Sequence, residues 1–471
     1  MHREMVAMSA RAVVRALRAR ELRPSELVGA ALARHAEVEP AVNAVPTVCA
    51  ERALERAREL ELGAAGATLL GGLPTVVKDL HDVAGVRTTY GSTIFADHVP
   101  DRTDISVERQ EAAGAVVLGK SNTPEFGAGA NTFNDVFGYT RNPWDTRLSC
   151  GGSSGGSAVA LATGTAWLAD GSDLGGSLRT PAAFTGVVGL RPSPGRVVGD
   201  YAACRFQTLD VRGPMARDVR DCALMLDAMT GFDRRDPLSF DAPAVPFSVA
   251  VDRPPTLARV AFSKDLGGAT PVEPEVAAVC ERAARGFERL GVEVIEASPN
   301  LSAAVDTFTV LRAELYAANT APLLERHRDR LKPEIVWNIE TGLALDAAAI
   351  GRAERDRSAM FDDLSNFFDR FDLFLCPAAV CRPFPVEQRW VEGLEGHRFA
   401  SYVDWIACTF ALTLTGAPAL AVPAGRTADG LPVGLQLVGP PRGEARLLGA
   451  AARLEDEIGR LFDGVLDPRT P

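Results

Sequence analysis

Two runs rich in glycine and serine, separated by an apolar stretch, constrain this chain of 471 residues more than any other feature. The first run reads Cys-Gly-Gly-Ser-Ser-Gly-Gly-Ser over 150–157, and the second reads Asp-Gly-Ser-Asp-Leu-Gly-Gly-Ser-Leu-Arg over 170–179. Glycines before a serine have no side chain to shield the backbone, so successive N–H groups can point at one ligand atom. Gly175, Gly176 and Ser177 can therefore surround an oxyanion while the Ser177 hydroxyl attacks, which is the geometry that acyl transfer requires.

A serine hydroxyl is a weak nucleophile and needs a base to activate it. Histidine usually fills this role, but none of the six histidines lies in the glycine–serine region. Lys78 is a candidate because it follows Val76 and Val77, at the end of a predicted strand. Burial there would lower the pKa of its amine from the ordinary value of about 10.4, and a second serine could relay the proton to Ser177.

The composition is that of a soluble globular protein. Hydrophobic residues make up 46% and charged residues 24% of the chain, which excludes a disordered or fibrous protein. The net charge of −11 does not suit a phosphate backbone, so no nucleic-acid partner is expected. No signal peptide and no apolar run of membrane-spanning length is found, so no membrane association is expected. The eight cysteines form no CxxC pair, which predicts reduced thiols in the cytoplasm and no metal site.

Helical and strand patterns alternate along the whole chain. Residues 260–262 and 292–295 have the pattern of strands on either side of a helix, a βαβ-like unit. Residues 419–422 and 434–438 have the pattern of a hairpin-like pair. Alternation of this kind is typical of an α/β protein.

No linker rich in proline, serine or glycine divides the chain into halves. We therefore expect a single large domain over residues 1–471 rather than several smaller ones. Its mixed central β-sheet would be covered by helices on both faces, with a helical segment over about 1–65 packed on it.

Together these motifs resemble those of the amidase signature family. The two serine runs have the family's spacing, because 24 positions separate Ser153 from Ser177, and this spacing selects Ser153 over Ser154 as the relay serine. Four further segments fit the family's pattern: 76–79, 142–144, 186–192 and 430–436. The resemblance spans most of the chain, roughly residues 10–455, and implies the amidase signature fold.

The resemblance implies a Ser–Ser–Lys catalytic triad that needs neither a metal nor an organic cofactor. Ser177 would attack the carbonyl, Ser153 would shuttle protons beside a cis peptide bond, and Lys78 would act as the base. The oxyanion hole would consist of four consecutive N–H groups, those of Leu174, Gly175, Gly176 and Ser177.

Supporting roles follow for the neighbouring residues. Asp173 and Arg179 flank the nucleophile, where they would either form a structural ion pair or act directly in the chemistry. Gly127 matches a position that lines the acyl pocket in the family, so Gly127 and Ser153 are expected to contact the substrate. Ser154 is expected to cap the following helix rather than react.

The expected function is that of a serine amidohydrolase that cleaves the C–N bond of a small amide through an acyl-enzyme. Esterase or carbamate hydrolase activity on the same scaffold is an alternative, and a homodimer is possible. Five aromatic side chains could line the pocket or belong to the core, with the core favoured: Phe126, Phe133, Phe137, Trp405 and Phe410.

Three other interpretations stay open. The chain is also similar to the glutamine-hydrolysing subunit of the tRNA-dependent amidotransferase, and Arg357 and Asp404 fall near positions expected to hold glutamine. The GxSxG pattern over 151–155 suits an α/β-hydrolase, which would need His327 or His397 downstream. An inactive protein with the same fold could serve in binding.

Overall fold

One large β-sheet organises the fold of the computed structural model, which describes residues 2–63, 68–200, 203–462 and 464–470. The strands within these ranges are β1 (Thr47–Val48), β2 (Pro74–Lys78), β3 (Val116–Ser121), β4 (Phe133–Asn134), β5 (Gly138–Tyr139), β6 (Arg141–Asn142), β7 (Asp145–Ser149), β8 (Leu168–Asp173), β9 (Val188–Arg191), β10 (Val211–Ala216), β11 (Arg259–Phe262), β12 (Glu293–Glu296), β13 (Leu373–Pro377), β14 (Gly393–Leu394), β15 (His397–Arg398), β16 (Ala419–Arg426) and β17 (Pro432–Val438). Eleven of them form the main sheet in the order β1-β3-β2-β8-β10-β9-β16-β17-β13-β11-β12.

Helices surround this sheet. Those in the described ranges are α1 (His2–Ala7), α2 (Ala10–Arg18), α3 (Pro24–Val42), α4 (Ala50–Leu62), α5 (Ile105–Ala112), α6 (Gly155–Thr163), α7 (Arg179–Thr185), α8 (Val219–Met229), α9 (Phe247–Ala250), α10 (Pro274–Ala284), α11 (Gly286–Arg289), α12 (Ala304–His327), α13 (Pro333–Leu343), α14 (Ala347–Phe367), α15 (Ala407–Leu414) and α16 (Glu444–Ile458). Across the part of the chain that the structure describes, every helix is too short or too polar to span a bilayer.

The burial of the central strands explains why the sheet needs helices on both sides. Strands β8, β10 and β17 are buried at every residue. Successive side chains of a strand point to opposite faces, so complete burial means that both faces are covered. The sheet is mixed, because β2 runs parallel to β8 whereas β10 runs antiparallel to it. These features confirm the predicted α/β class.

Two local predictions are also confirmed. Strands β11 and β12 pair in parallel, and α10 and α11 lie between them in the chain. Strands β16 and β17 pair in antiparallel fashion as a hairpin. In both cases the partners are close in sequence, so the apolar pattern and the turn residues were sufficient to predict the pairing.

The sheet brings the predicted catalytic segments to one edge. Strands β2 and β8 are parallel neighbours in register at Thr75 and Leu168, so their carboxyl ends lie side by side. Lys78 ends β2, and Asp173 ends β8. The helices that follow the two serine runs, α6 and α7, begin two residues after Ser153 and two residues after Ser177.

The predicted N-terminal helical segment forms α1 to α4, and Arg34 on α3 anchors it to the domain. The guanidinium of Arg34 is buried, and it donates to the carbonyl of Thr163, at the end of α6, and to the carbonyl of Leu466, each at 2.7 Å. It also pairs with Glu37 at 3.0 Å and with Asp467 at 2.9 Å. One side chain thus joins the N-terminal helices, the helix behind Ser153 and the C-terminal segment.

We predict that Arg34→Met lowers the free energy of unfolding by about 2–4 kcal/mol, because the buried carbonyl of Thr163 and the half-buried carbonyl of Leu466 lose their donor. Chemical denaturation monitored by circular dichroism measures the change. Arg3→Met is the matched control, since Arg3 is 60% exposed and pairs with the same Glu37 and Asp467; it should cost less than about 1 kcal/mol. Equal losses for the two variants would contradict the anchoring role of Arg34.

Candidate active site

Lys78 is a fully buried lysine whose amine contacts hydroxyl groups rather than a carboxylate. Its Nζ donates to Ser153 Oγ at 2.7 Å and lies 3.1 Å from Ser172 Oγ and 3.5 Å from the Ser172 carbonyl. Val76 and Val77, which precede it on β2, are also completely buried. The strand therefore places the lysine amine in the protein interior, where its hydrogen-bond partners are neutral groups.

Burial lowers the pKa of Lys78 to about 7. The charges of Asp210, Asp173 and Asp170 oppose this effect and favour the ammonium, whereas Arg212 adds to it. Because desolvation outweighs the three carboxylates, an appreciable fraction of the amine is neutral near pH 7. A neutral amine next to a hydroxyl can accept the hydroxyl proton.

Ser153 lies between Lys78 and the open cleft. It is 2% exposed, and the peptide bond from Gly152 to Ser153 is cis, as the family resemblance implies. Ser154, the next residue, donates its backbone N–H to the Ser177 carbonyl at 3.1 Å. A main-chain hydrogen bond thus holds the two serine runs together.

The nucleophile loop that carries Ser177 is held by the carboxylate of Asp173. One carboxylate oxygen accepts the N–H of Gly176 at 2.8 Å, and the other accepts the N–H of Leu178 at 3.1 Å. Gly176 has φ +125°, and a Cβ there would lie 2.2 Å from Thr409 Oγ1, so only glycine fits. Ser177 itself is half-buried and lines the cleft.

The predicted oxyanion hole is changed by this arrangement in one respect. Because the N–H of Gly176 is engaged by Asp173, it cannot also donate to a substrate oxygen in this structure. Within the described residues, the N–H groups of Leu174, Gly175 and Ser177 have no protein acceptor. Three of the four predicted donors therefore have no partner among the described residues.

Asp173 and Arg179 form a buried ion pair, with distances of 2.8 and 3.0 Å between the guanidinium and the two carboxylate oxygens. Burial alone would raise the pKa of Asp173, but Arg179 and Arg191 more than compensate and lower it. Arg179 also donates to Gln436 Oε1 and to the carbonyl of Thr409. These contacts engage the guanidinium within the protein, which favours a structural ion pair over a direct role of Asp173 and Arg179 in the chemistry.

Ser154 stands at the N-terminal cap position of α6, but its side chain does not cap the helix. Its hydroxyl donates instead to the carbonyl of Ser172 at 3.3 Å. The expected capping role is therefore wrong for the side chain. The reason is that the hydroxyl is fully buried against β8, where the Ser172 carbonyl needs a donor.

Three residues of the site lie within the sequence motifs but had no predicted role. The Ser172 hydroxyl accepts a hydrogen bond from the Lys78 amine. The Asp170 carboxylate accepts the Lys78 backbone N–H at 2.8 Å and lies 2.9 Å from His81 Nδ1. The side-chain oxygen of Gln436 accepts from the Arg179 guanidinium. Asp170 and Ser172 are two apart on β8, so period-two alternation could have placed them on one face. No local signal links Gln436 to Arg179, because their segments meet only in the folded sheet.

A cleft of about 800 Å³ opens over these groups. Its lining includes Ser153, Ser172, Leu174 and Ser177 together with Gly127. A Cβ on Gly127 would lie 3.5 Å from Ser153 Oγ. The cleft is large enough for a substrate of drug-like size.

The five aromatic candidates lie in different environments. Phe126 lines the cleft. Trp405 and Phe410 are completely buried in the main core, and Phe133 is buried against the ring of Tyr139. Phe137, for its part, packs under the guanidinium of Arg87. The core was the correct expectation for Trp405 and Phe410 and wrong for Phe126, which lies within the tight turn Glu125–Gly127 rather than in a strand.

The residues proposed for the glutamine-hydrolysing subunit and for the α/β-hydrolase have contacts away from Ser177. Arg357 donates to the carbonyl of Leu414 and to Thr208, and Asp404 accepts from the hydroxyl of Ser401. Neither is part of the described lining of the Ser177 cleft, and the same holds for His327 and His397. Among the described residues, histidine, cysteine and carboxylate side chains form no cluster that could hold a metal ion.

We predict that Asp173→Asn destabilises the fold by about 3–5 kcal/mol, because it leaves the buried Arg179 without its counter-charge. The matched control is Asp456→Asn, which removes a carboxylate that is 59% exposed and contacts Arg220 through both oxygens. It should cost less than about 1 kcal/mol. Urea denaturation of both variants measures the difference, and similar small losses would contradict a buried ion pair that holds the loop.

Known proteins resemble this chain along nearly its whole length. The family model described as Amidase matches residues 26–448. The acylamidase of Rhodococcus erythropolis is 36% identical over 95% of each chain. A Glutamyl-tRNA(Gln) amidotransferase subunit from Moorella thermoacetica is 37% identical, over 93% of this chain and 94% of its own length.

Solved structures agree with these sequence relatives. A bacterial aryl acylamidase of the amidase signature family superposes with a TM-score of 0.89 at 28% identity, over 96% of each chain. A 6-aminohexanoate cyclic dimer hydrolase gives a TM-score of 0.88 at 27% identity, over 97% of this chain and 98% of the hydrolase. The family match, the relatives and the common fold together show that the chain belongs to the amidase family of amide-hydrolysing enzymes.

Proposed function

We propose that the enzyme hydrolyses a small carboxylic amide through an acyl-enzyme on Ser177, with Ser153 and Lys78 as its proton carriers. One observation carries the proposal: the buried amine of Lys78 lies 2.7 Å from Ser153 Oγ, beneath the cleft that Ser177 lines. A buried lysine with a hydroxyl partner has no ion pair that would hold it in the charged form. That makes it a base rather than a structural cation.

The acylation half-reaction follows from this geometry. The neutral Lys78 amine accepts the proton of Ser153, whose oxygen in turn accepts the proton of Ser177. Ser177 Oγ then forms a bond to the carbonyl carbon, and the carbonyl π electrons move to its oxygen. The free N–H groups of Leu174, Gly175 and Ser177 bind that oxyanion; one such donor contributes about 2.7–4 kcal/mol in serine hydrolases.

Collapse of the tetrahedral intermediate needs the same groups in reverse. The C–N bond breaks as Ser153 donates its proton to the leaving nitrogen, and the Lys78 ammonium returns a proton to Ser153. Water attacks the acyl-enzyme while Ser153 and Lys78 again take up a proton. The same groups return that proton to Ser177 Oγ as its bond to the acyl carbon breaks and the acid leaves. The lysine thus acts first as a base and then as an acid, which requires a pKa near the working pH.

Esters and carbamates could pass through the same steps. Their leaving groups depart more easily than an amine, so the site would not need new groups to process them. We keep esterase or carbamate hydrolase activity as a secondary activity of this scaffold. The free cysteines are compatible with the reducing cytoplasm as the place of action.

The alternative function is that of a glutamine-hydrolysing subunit, supported by relatives as similar as the acylamidase. A glutamine site would need charged groups placed for the substrate's carboxylate and ammonium. The cleft lining does contain charged residues, but Arg212 is paired with Asp104 and Asp210. Arg357 and Asp404, which were the candidates, contact Leu414, Thr208 and Ser401 instead. We therefore favour the independent amidase.

We predict that Ser177→Ala lowers kcat on a simple amide about 10⁴-fold or more, and that Lys78→Ala lowers it about 10²–10⁴-fold. Lys264→Ala is the control, because that lysine is exposed; its activity should equal that of the wild type. Hydrolysis of phenylacetamide by the purified chain is followed by ammonia release, with circular dichroism to verify folding. Full activity in Lys78→Ala would contradict the triad.

The same assay distinguishes the alternative. The purified chain should hydrolyse phenylacetamide with a kcat/KM more than about tenfold above that for glutamine, because Arg357 and Asp404, the residues expected to hold the amino-acid groups, lie outside the described lining of the cleft. A preference for glutamine, or activity that requires added amidotransferase partners, would favour the alternative function.

We predict that kcat/KM falls as the pH decreases through about 7, because protonation of Lys78 removes the base. Below that value the loss should be about tenfold per pH unit. Asp210 favours the ammonium, so Asp210→Asn should move this acidic limb to lower pH. A kcat/KM that stays constant from about pH 7 to about pH 5 would exclude Lys78 as the base.

A further inference from the structure

Three aromatic rings form one wall of the Ser177 cleft: Tyr90, Phe95 and Phe126, called the aromatic wall below. Each is half-buried, so part of every ring faces the cleft. Tyr90 and Phe95 pack edge to face with centroids 5.1 Å apart, and Phe95 and Phe126 do the same at 6.1 Å. Edge-to-face pairs fix the ring planes relative to one another. The wall is therefore an ordered surface rather than a set of independent side chains.

The backbone at two of these rings is in a conformation that large side chains rarely adopt. Tyr90 has φ +53° and Phe126 has φ +46°, and each precedes a glycine that also has positive φ, Gly91 and Gly127. A bulky residue in the left-handed region costs free energy that the surrounding structure must supply. Such positions cluster at ligand-binding sites, because there the unusual conformation aims a side chain.

The two turns are joined where they touch. The N–H of Phe126 donates to the Tyr90 carbonyl at 2.8 Å. A Cβ on Gly91 would lie 2.8 Å from the carbonyl of Thr123 and 3.0 Å from the Glu125 nitrogen, so the close contact depends on a glycine. Tyr90 and Phe126 thus keep a fixed relative position.

Further hydrogen bonds hold the turn around Phe126 in place. The Glu125 carboxylate accepts from Ser92 Oγ at 2.6 Å and from the Lys332 N–H at 2.8 Å. The Phe126 carbonyl accepts from the Tyr316 hydroxyl at 3.1 Å, and the carbonyl of Ala128 accepts from Lys332 Nζ at 2.6 Å. Contacts from α12 and from the start of α13 therefore preorganise the wall before any substrate binds.

The wall begins directly beside the reacting groups. A Cβ on Gly127, the residue after Phe126, would lie 3.1 Å from Leu80 and 3.5 Å from Ser153 Oγ. On the other side, Phe126 and Leu174 pack against the same apolar cluster around Tyr316. Leu174 belongs to the nucleophile loop, so a substrate held at Ser177 places an adjoining group against these rings.

We propose that the aromatic wall is a preformed subsite for a planar aromatic group of the substrate, a statement that rests on the proposed amide hydrolysis at Ser177. Ring edges and faces that are already fixed bind another flat ring better than a puckered ring of the same size, because only the flat ring forms stacked or edge-to-face contacts. The group is carried either by the acyl part or by the amine part of the amide, and the test separates these two cases.

The test compares matched amides that differ only in the planarity of one ring. Phenylacetamide and cyclohexylacetamide probe the acyl side, and N-benzylacetamide and N-(cyclohexylmethyl)acetamide probe the amine side. Calorimetry measures their binding to the full chain with Ser177→Ala, which leaves the amides intact. We expect the aromatic member of one pair to bind about 2- to 10-fold more tightly, and the pair that shows the preference identifies the side.

Substitutions then assign the preference to the wall. Phe126→Leu and Phe95→Leu, each combined with Ser177→Ala, should bring the binding ratio close to one, while Phe361→Leu, an exposed phenylalanine on α14, should leave it unchanged. If neither pair shows a preference, or if the preference survives both wall variants, the subsite is overturned. Because binding is measured without turnover, a failure of amide hydrolysis by the wild type would count against the proposed function alone.

Discussion

The burial of the Lys78 amine is the interaction on which the rest of the site depends. A lysine in water holds its proton until the pH is far above neutral, and a lysine beside a carboxylate holds it even longer. Here the amine lies in the interior with the hydroxyls of Ser153 and Ser172 as its partners. Three nearby carboxylates favour the ammonium, but desolvation outweighs them and lowers the pKa to about 7. The proposed acid–base chemistry depends on that single environment.

A second constraint keeps the nucleophile loop in place. The carboxylate of Asp173 accepts two backbone N–H groups of the loop and the guanidinium of Arg179, which also reaches Gln436 on β17. Both charged groups are completely buried, so neither can leave without exposing the other to an apolar interior. The loop is therefore tied to the middle of the sheet and not only to its own neighbours. Ser177 is rigid relative to the groups that serve it.

The aromatic wall, where the substrate is proposed to bind, is also held in place by contacts from distant parts of the chain. Two of its rings, Tyr90 and Phe126, have left-handed backbone conformations. The turn around Phe126 is held by hydrogen bonds from Tyr316 and Lys332, which take no part in the proposed proton transfers. The proposed catalytic groups and the proposed specificity groups thus come from different parts of the chain and meet at one cleft. This division is compatible with a family in which one chemistry serves different substrates, since the wall can change without disturbing Lys78 or Asp173.

The sequence by itself determined the class of fold, the family and the residue types of the site. Glycine runs before serines, and a lysine after a buried strand, are local patterns, and their chemistry can be predicted from the neighbouring residues alone. The hairpin of β16 and β17 could be predicted for the same reason, because its strands are adjacent in the chain.

Only the tertiary structure decided which distant groups meet. It brought Lys78 to Ser153, Arg179 to Gln436, and the turn at Tyr90 to the turn at Phe126. It also placed the Ser154 hydroxyl against the carbonyl of Ser172 on β8 rather than at the end of its own helix. Such contacts depend on strand order and on which loops lie above each strand end. A local pattern carries no information about either, because both are set by the packing of the complete sheet.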